Sequence, residues 1–182
     1  MADLQAIFRA LQELQGPSVL ATLVGVEGSS YRKPGARMLL GPQASALGCV
    51  SAGCLETDLR ERARGVLDSA RPALVRYDMG DELDLVWGTG MGCGGRAEIL
   101  LEPVLPDRLA PWIHFCGQHL GHRRSCGLVT VLGTEGKIPF ELGDRFTYDD
   151  ESHYGLLPFD RQLSVDLSRA CTRAREGGEA FR

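Results

Sequence analysis

The chain contains no asparagine, and lysine occurs only as Lys33 and Lys137. Scarce asparagine fits selection at high temperature, and a GC-rich genome produces the same bias. Both causes stay open, and neither bears on chemistry. No apolar run approaches the about 18 residues of a membrane-spanning helix, which excludes that class. Positive charge is not in excess: 20 Lys and Arg face 24 Asp and Glu, for a net charge of −4. The basic residues are scattered, without an aromatic-interleaved stripe, so nothing points to nucleic acid. The opening Met1-Ala2-Asp3-Leu4-Gln5 lacks a basic stretch followed by an apolar one, so it does not read as a secretory signal. The six cysteines then read as reduced thiols in the cytoplasm. They include no CxxC pair, which argues against a structural zinc site. Internal repeats and low-complexity tracts are absent as well.

What is present begins with Trp87-Gly88-Thr89-Gly90-Met91-Gly92-Cys93-Gly94-Gly95. Five glycines in eight positions surround one thiol. Such a backbone is free to take positive φ and to approach a ligand closely. Its successive amides can form an anion-binding nest, and a thiolate beside a nest is a soft ligand or a nucleophile. A glycine-rich turn around a small buried cysteine is the plainer alternative. Ser51-Ala52-Gly53-Cys54-Leu55-Glu56 repeats the glycine–cysteine pattern at the start of an expected helix, whose positive end favours a thiolate. Ser51 could instead cap that helix. Cys49 lies in an expected strand and reads as core. Gly90 to Gly95 formally matches GxGxxG, but an expected strand follows it, whereas a dinucleotide site needs a helix there.

Periodicity organises the rest. Leu4, Ile7, Phe8, Leu11 and Leu14 share one helical face, ended by Gly16-Pro17. Ser18 to Val26 reads as a buried strand, and Gly28 to Gly35 as a long turn. Arg37–Leu40 and Ala46–Val50 read as a hairpin through Gly41-Pro42. A helix is expected from Cys54 to Ala70, then a strand over Ala73–Tyr77, an acidic loop over Asp78–Asp84, and a half-buried strand over Arg96–Glu102. Further on, Asp107–His122 is expected as a helix and Leu128–Leu132 as a strand. Ile138–Phe146 reads as a hairpin turning at Gly143-Asp144, Tyr148–His153 as a loop, and Ser164–Arg175 as a helix before a loose tail. Strands and helices mix without strict βαβ alternation, so the fold class is α+β, a mixed sheet with packed helices. Residues 1–104 are expected to form the domain core and residues 105–182 an α/β extension of the same domain.

Weaker candidates read mostly as surface. Arg32, Lys33 and Arg37 flank Pro34-Gly35 and suit phosphate recognition, with an exposed turn as the simpler reading. Asp81, Glu82 and Asp84 fit a solvated acidic loop. Cys116, Cys126 and Cys171 fall on expected helix or strand faces and take no role. His119 and His122 lie three apart on a helix without a third ligand and read as surface residues.

The motifs occur in an order that resembles one family. Gly28-Ser29-Ser30-Tyr31-Arg32-Lys33-Pro34-Gly35-Ala36-Arg37-Met38, then Gly48 to Glu56, then Asp84 to Gly95, then Glu98 to Pro103, closely resemble the XdhC/CoxI family over about residues 18–104. Its members are accessory proteins of molybdenum hydroxylases such as xanthine dehydrogenase. The resemblance implies a carrier rather than an enzyme, one that binds molybdenum cofactor (molybdopterin), protects it, supports its sulfuration and delivers it to an apo-hydroxylase. It marks Ser29, Ser30, Arg32, Pro34, Gly35, Gly53, Cys54, Glu56, Gly88, Gly90, Gly92, Cys93 and Gly94, with Arg37 beside them as a cofactor-binding candidate and Cys93 and Cys54 as candidate metal ligands. The further partners it implies are a cysteine desulfurase and a separate Rossmann-type subunit, and it implies a homo-oligomer. Ala52 stands where the family usually has glycine. Longer members continue into a Rossmann-like domain that is not found before Arg182, so the chain reads as a fragment or as a stand-alone subunit.

Two other readings compete. An enzyme could use Cys93 or Cys54 as nucleophile to modify the cofactor or another small molecule. A nucleophile needs a base within reach, and His114, His119, His122 and His153 all lie outside the resembling region. A purely partner-binding module is the third.

Overall fold

The computed structural model describes residues 2–42, 45–78, 95–135, 139–149, 153–155 and 161–177. Helix α1 spans Ala2–Gln12. It is followed by strands β1 (Ser18–Gly28), β2 (Arg37–Leu40) and β3 (Ala46–Gly48), then helix α2 (Glu56–Ser69) and strands β4 (Ala73–Asp78) and β5 (Gly95–Val104). A short 3-10 turn at Pro106–Arg108 leads into α3 (Pro111–Gly121). Strands β6 (Gly127–Thr130), β7 (Arg145–Tyr148) and β8 (His153–Gly155) and helix α4 (Arg161–Gly177) complete the described elements. The chain is α+β, as expected.

The five-stranded sheet has the order β3-β2-β1-β5-β4, with every neighbouring pair antiparallel. Strand β1 is central, and its residues Ser18 to Leu23 are buried without a break. Side chains alternate across a strand, so both faces must be covered. Val19, Ala21 and Leu23 join Met38, Leu40, Ile99 and Leu101 under α2, which contributes Leu59, Ala63 and Val66. Leu20, Leu39 and Val104 face the other way, against Ile7, Phe8 and Leu11 of α1 and Trp112, Ile113 and Cys116 of α3. Helices therefore sandwich the sheet. The smaller sheet, β6-β7-β8, is also antiparallel.

Four expectations need correction. Strand β5 is buried on both faces at Leu100, Leu101 and Glu102: on the side read as solvent-facing, Arg145 of β7 pairs with Glu102, and Val104 packs against α1 and α3. The helix expected over 107–122 is broken: Leu109 and Ala110 are extended, and α3 restarts with Pro111 at its first turn, where a missing N–H costs nothing. The turn at Gly143-Asp144 is present, with the Asp144 N–H donating to Glu141 O at 3.1 Å, but beyond it Phe146 pairs with Val129 of β6 and Gly155 of β8, a non-local register, while Ile138 lies outside the described residues. For the same reason Tyr148 and His153, expected in a loop, are ladder partners. The acidic stretch Asp81–Asp84 lies outside the described residues.

Candidate functional site

Antiparallel pairing sends the chain back and forth, so the connections after β1, β3 and β4 leave the sheet at one end. Gly28 pairs with Gly95, and Asp78 with Arg96, at that end. Helix α2 starts there too: its first-turn Asp58 accepts a hydrogen bond from the Tyr77 hydroxyl at 2.5 Å. Burial raises the Tyr77 hydroxyl above its ordinary range, with help from that carboxylate, so Tyr77 serves as a donor only. The turn carrying Ser29 and Ser30, the loop carrying Gly53 and Cys54, and both flanks of residues 79–94 thus gather at one end of the sheet. Gly88, Gly90, Gly92, Cys93 and Gly94 lie outside the described residues.

The loop before α2 is built around a captured carboxylate. Val50 and Leu55 are buried anchors, and Ala52, Gly53 and Cys54 are exposed between them. The Ser51 N–H donates to Glu56 Oε1 at 3.0 Å, and the Leu55 N–H donates to Glu56 Oε2 at 3.2 Å. The Ser51 hydroxyl donates to Glu56 Oε2 at 2.5 Å and accepts from the N–H groups of Gly53 and Leu55, each at 3.2 Å. Burial acts to raise the Glu56 pKa, but the donors from Ser51, from its own N–H and from Val50 outweigh it and hold the carboxyl below its ordinary value. The loop N–H groups of Ser51 and Leu55 are thus taken up by Glu56, and the amide nest expected of residues 87–95 lies outside the described residues. Ser51 therefore organises the loop, while the cap position itself is Leu55.

Gly53 has φ of +108° and no atom within 4 Å of where a Cβ would stand. Its bareness leaves open backbone beside an exposed thiol, which suits approach by a bulky soft ligand. Gly95 is glycine for a different reason: a Cβ there would lie 2.4 Å from Glu27 O and 3.0 Å from Ser29 O. That close approach fixes the Ser29 turn against the start of β5.

The basic candidates diverge. Gly35 takes φ of +94° in the returning turn, and its N–H donates to Leu23 O at 2.7 Å. Arg32 reaches Asp3 of α1 at 3.8 Å, and Pro34 is half-buried. Arg37 shares strand parity with Leu39, so it points to the α1 and α3 face, opposite Cys54. There its guanidinium lies 5.7 Å from the Phe8 ring centroid and donates to Gly35 O at 3.4 Å. Burial and the nearby Arg145 lower its pKa to about 10, which leaves it a cation at neutral pH.

The sequence missed a second polar cluster on that same face. Glu102 and Arg145 pair in the interior, with Arg145 over the Trp112 ring. Cys116 and Cys126 are in contact, and His119, expected at the surface, is mostly buried against Asp149. The available signal was the spacing of Cys116 and His119, which puts both on one face of α3.

The family model of the XdhC and CoxI family matches residues 11–78, the segment from the end of α1 through β4. A Bacillus subtilis protein described as a probable xanthine dehydrogenase subunit is 40% identical over 158 residues, covering 87% of this chain and 45% of the relative. A crystal structure described as a xanthine dehydrogenase from Bacillus halodurans superposes with a TM-score of 0.72 at 35% identity, covering 90% of this chain and 47% of that one. The chain therefore spans less than half the length of these two relatives. Through the matched segment, which contains the Ser29–Gly35 turn and the Gly53–Cys54 loop, the chain belongs to the XdhC and CoxI family.

Proposed function

We propose that the chain is an accessory factor of a molybdenum hydroxylase such as xanthine dehydrogenase, and that it holds molybdenum cofactor for delivery to the apo-enzyme. One observation carries this reading: the Ser29–Gly35 turn, the Gly53–Cys54 loop and both flanks of residues 79–94 converge on one end of the sheet. The relatives' names add the xanthine dehydrogenase connection.

The described residues fit such a ligand in two ways. Cys54 is an exposed thiol beside open backbone at Gly53, suited to a soft metal centre. Arg32, half-buried at the turn, suits the cofactor's phosphate through its forked donors. Glu56 braces the loop through its hydrogen bonds rather than reaching outward. Gly88, Gly90, Gly92, Cys93 and Gly94 complete the binding end in this reading, with Cys93 as the second thiol. Self-association, a cysteine desulfurase and a separate Rossmann-type subunit belong to the same proposal, as does a cytoplasmic setting. No helix among the described residues is long and apolar enough to cross a membrane.

The test is cofactor content and transfer. Purified protein is denatured and oxidised, and released pterin is measured by fluorescence beside molybdenum by mass spectrometry. The expected result is bound cofactor in the wild type, with binding about tenfold weaker in Cys54→Ala and in Cys93→Ala, equivalent to roughly 1.4 kcal/mol. The exposed α3 variant Gln118→Ala should bind like wild type. A wild-type protein that takes up no cofactor, and leaves reconstitution of an apo-hydroxylase unchanged, would refute the reading.

A further inference from the structure

Two thiols meet on the face of the sheet away from Cys54. Cys116 lies on α3 and Cys126 immediately before β6, and their Sγ atoms are 4.0 Å apart. That is hydrogen-bond contact for sulfur, and only about 2 Å longer than a covalent S–S bond. The two are not equivalent. Cys116 is 4% exposed, inside the core cluster of α1 and α3. Cys126 is half-buried and follows directly on residues 121–125, which are exposed. A small solute can reach Cys126 from that side, and Cys116 lies behind it.

His119 sits one turn beyond Cys116 on α3. Its Nδ1 is 2.9 Å from Phe115 O, and its Nε2 is 2.8 Å from Asp149 Oδ2. Both partners are acceptors, a backbone carbonyl and a carboxylate. Both ring nitrogens must then carry hydrogen, which makes the ring an imidazolium. Burial opposes that charge, but the Phe115 carbonyl and Asp149 outweigh it and raise the His119 pKa. The Cys126 thiolate is favoured first by a hydrogen bond from Cys116. Burial and Asp149 oppose it, and His119 and Arg37 support it, with a net lowering. Cys116 is pushed the other way, by that shared hydrogen bond and by burial. Glu102 and Arg145 complete the charged surroundings and satisfy each other.

We propose that Cys126 and Cys116 form a reactive dithiol site that reduces a hydroperoxide and closes to a disulfide. The exposed member attacks and the buried member resolves. In the first step the Cys126 thiolate attacks the terminal peroxide oxygen. The S–O bond forms as the O–O bond breaks, and the departing alkoxide or hydroxide takes a proton from solvent. Cys126 is oxidised to the sulfenic acid while the peroxide is reduced to alcohol or water. In the second step the Cys116 sulfur attacks the sulfenic sulfur, and its proton leaves with the departing hydroxide as water. The sum is one hydroperoxide and two thiols giving one alcohol, one water and one disulfide. The 4.0 Å contact means that closure needs only a small movement of Cys126, just ahead of β6.

Hydrogen peroxide is the probe. The full chain is treated with a stoichiometric amount, free thiols are alkylated, and the peptides are mapped. The expected product is a linked Cys116–Cys126 peptide, with the intact chain lighter by two hydrogens. In Cys116→Ala a sulfenic-acid trap should label Cys126. In His119→Gln, Cys126 should oxidise about tenfold more slowly relative to Cys54 of the same molecule, since thiolate is the reactive form. The wild-type mapping stands without either variant. Oxidation of Cys126 no faster than that of Cys54 would overturn the proposal. So would a first linkage to Cys171, which packs against Gly127 next door.

Discussion

Glu102 of β5 and Arg145 of β7 face each other in the interior, and the guanidinium donates two parallel hydrogen bonds of 2.5 Å to the carboxylate. Only 2% of the Arg145 side chain and 11% of the Glu102 side chain is exposed. The guanidinium also donates to Thr130 Oγ1 at 3.1 Å and lies 4.0 Å from the Trp112 ring centroid. One cation thus ties the large sheet, the small sheet and α3 together. Removing one partner leaves a buried charge unpaired, which costs more than removing both. Arg145→Met should lower stability by about 3–5 kcal/mol, measured as the shift in urea unfolding. Glu102→Leu combined with Arg145→Met should recover much of that loss. A double variant as unstable as the single one would show that packing, rather than charge pairing, dominates there.

The pair also marks where the sequence stops being readable. The one-face pattern of Leu4, Ile7, Phe8 and Leu11 predicts α1, because a helix on a sheet needs only local periodicity. The alternation of Ala97, Ile99 and Leu101 predicts β5. It does not predict that Leu100 and Glu102 are buried as well, because that face is closed by distant parts of the chain, with Arg145 of β7 against Glu102. Phe146 pairs across two other strands, so its register is a tertiary property. The site was legible in part. The Ser29–Gly35 turn and the Gly53–Cys54 loop were legible as glycine-marked segments, whereas Arg37, read as a cofactor-binding candidate, points to the other face because it shares strand parity with Leu39. The capture of loop amides by Glu56 carried no such signal. Neither did the His119–Asp149 contact, which joins residues thirty positions apart.

Glu56 gives the Cys54 loop a defined response to acid. Its folded pKa lies below the ordinary value of 4.5. The folded state therefore holds this proton less tightly than the unfolded state does. The contribution is complete above the unfolded value and is lost as pH falls through the folded one. Wild-type stability should drop over that acid range, and Glu56→Gln should flatten this part of the profile. At neutral pH the same variant should cost about 1–3 kcal/mol, because the N–H groups of Ser51 and Leu55 lose a charged acceptor. Urea midpoints across the acid range test both statements. Parallel wild-type and variant profiles would mean that Glu56 keeps its proton affinity on folding.

Three glycines separate backbone packing from backbone exposure. Gly48 has φ of +83°, and a Cβ there would stand 2.5 Å from Arg37 O and 2.6 Å from Ile7 Cδ1. Gly95 would place its Cβ 2.4 Å from Glu27 O, with Ser29 backbone atoms at 3.0 Å and 3.2 Å. Carbonyls held in a ladder cannot step aside, so Gly48→Ala and Gly95→Ala must shift strands, at a cost of about 1–3 kcal/mol or more. Gly53 meets nothing, and its substitution costs only conformational strain, about 1–2 kcal/mol. Thermal unfolding should therefore rank Gly48→Ala and Gly95→Ala well below Gly53→Ala. Cofactor binding should rank differently. Gly53→Ala adds a methyl group to open backbone beside Cys54, so it should weaken binding by more than its stability loss accounts for. Gly53→Ala protein that binds cofactor like wild type would place the ligand away from this loop, leaving Gly53 as a turn residue alone.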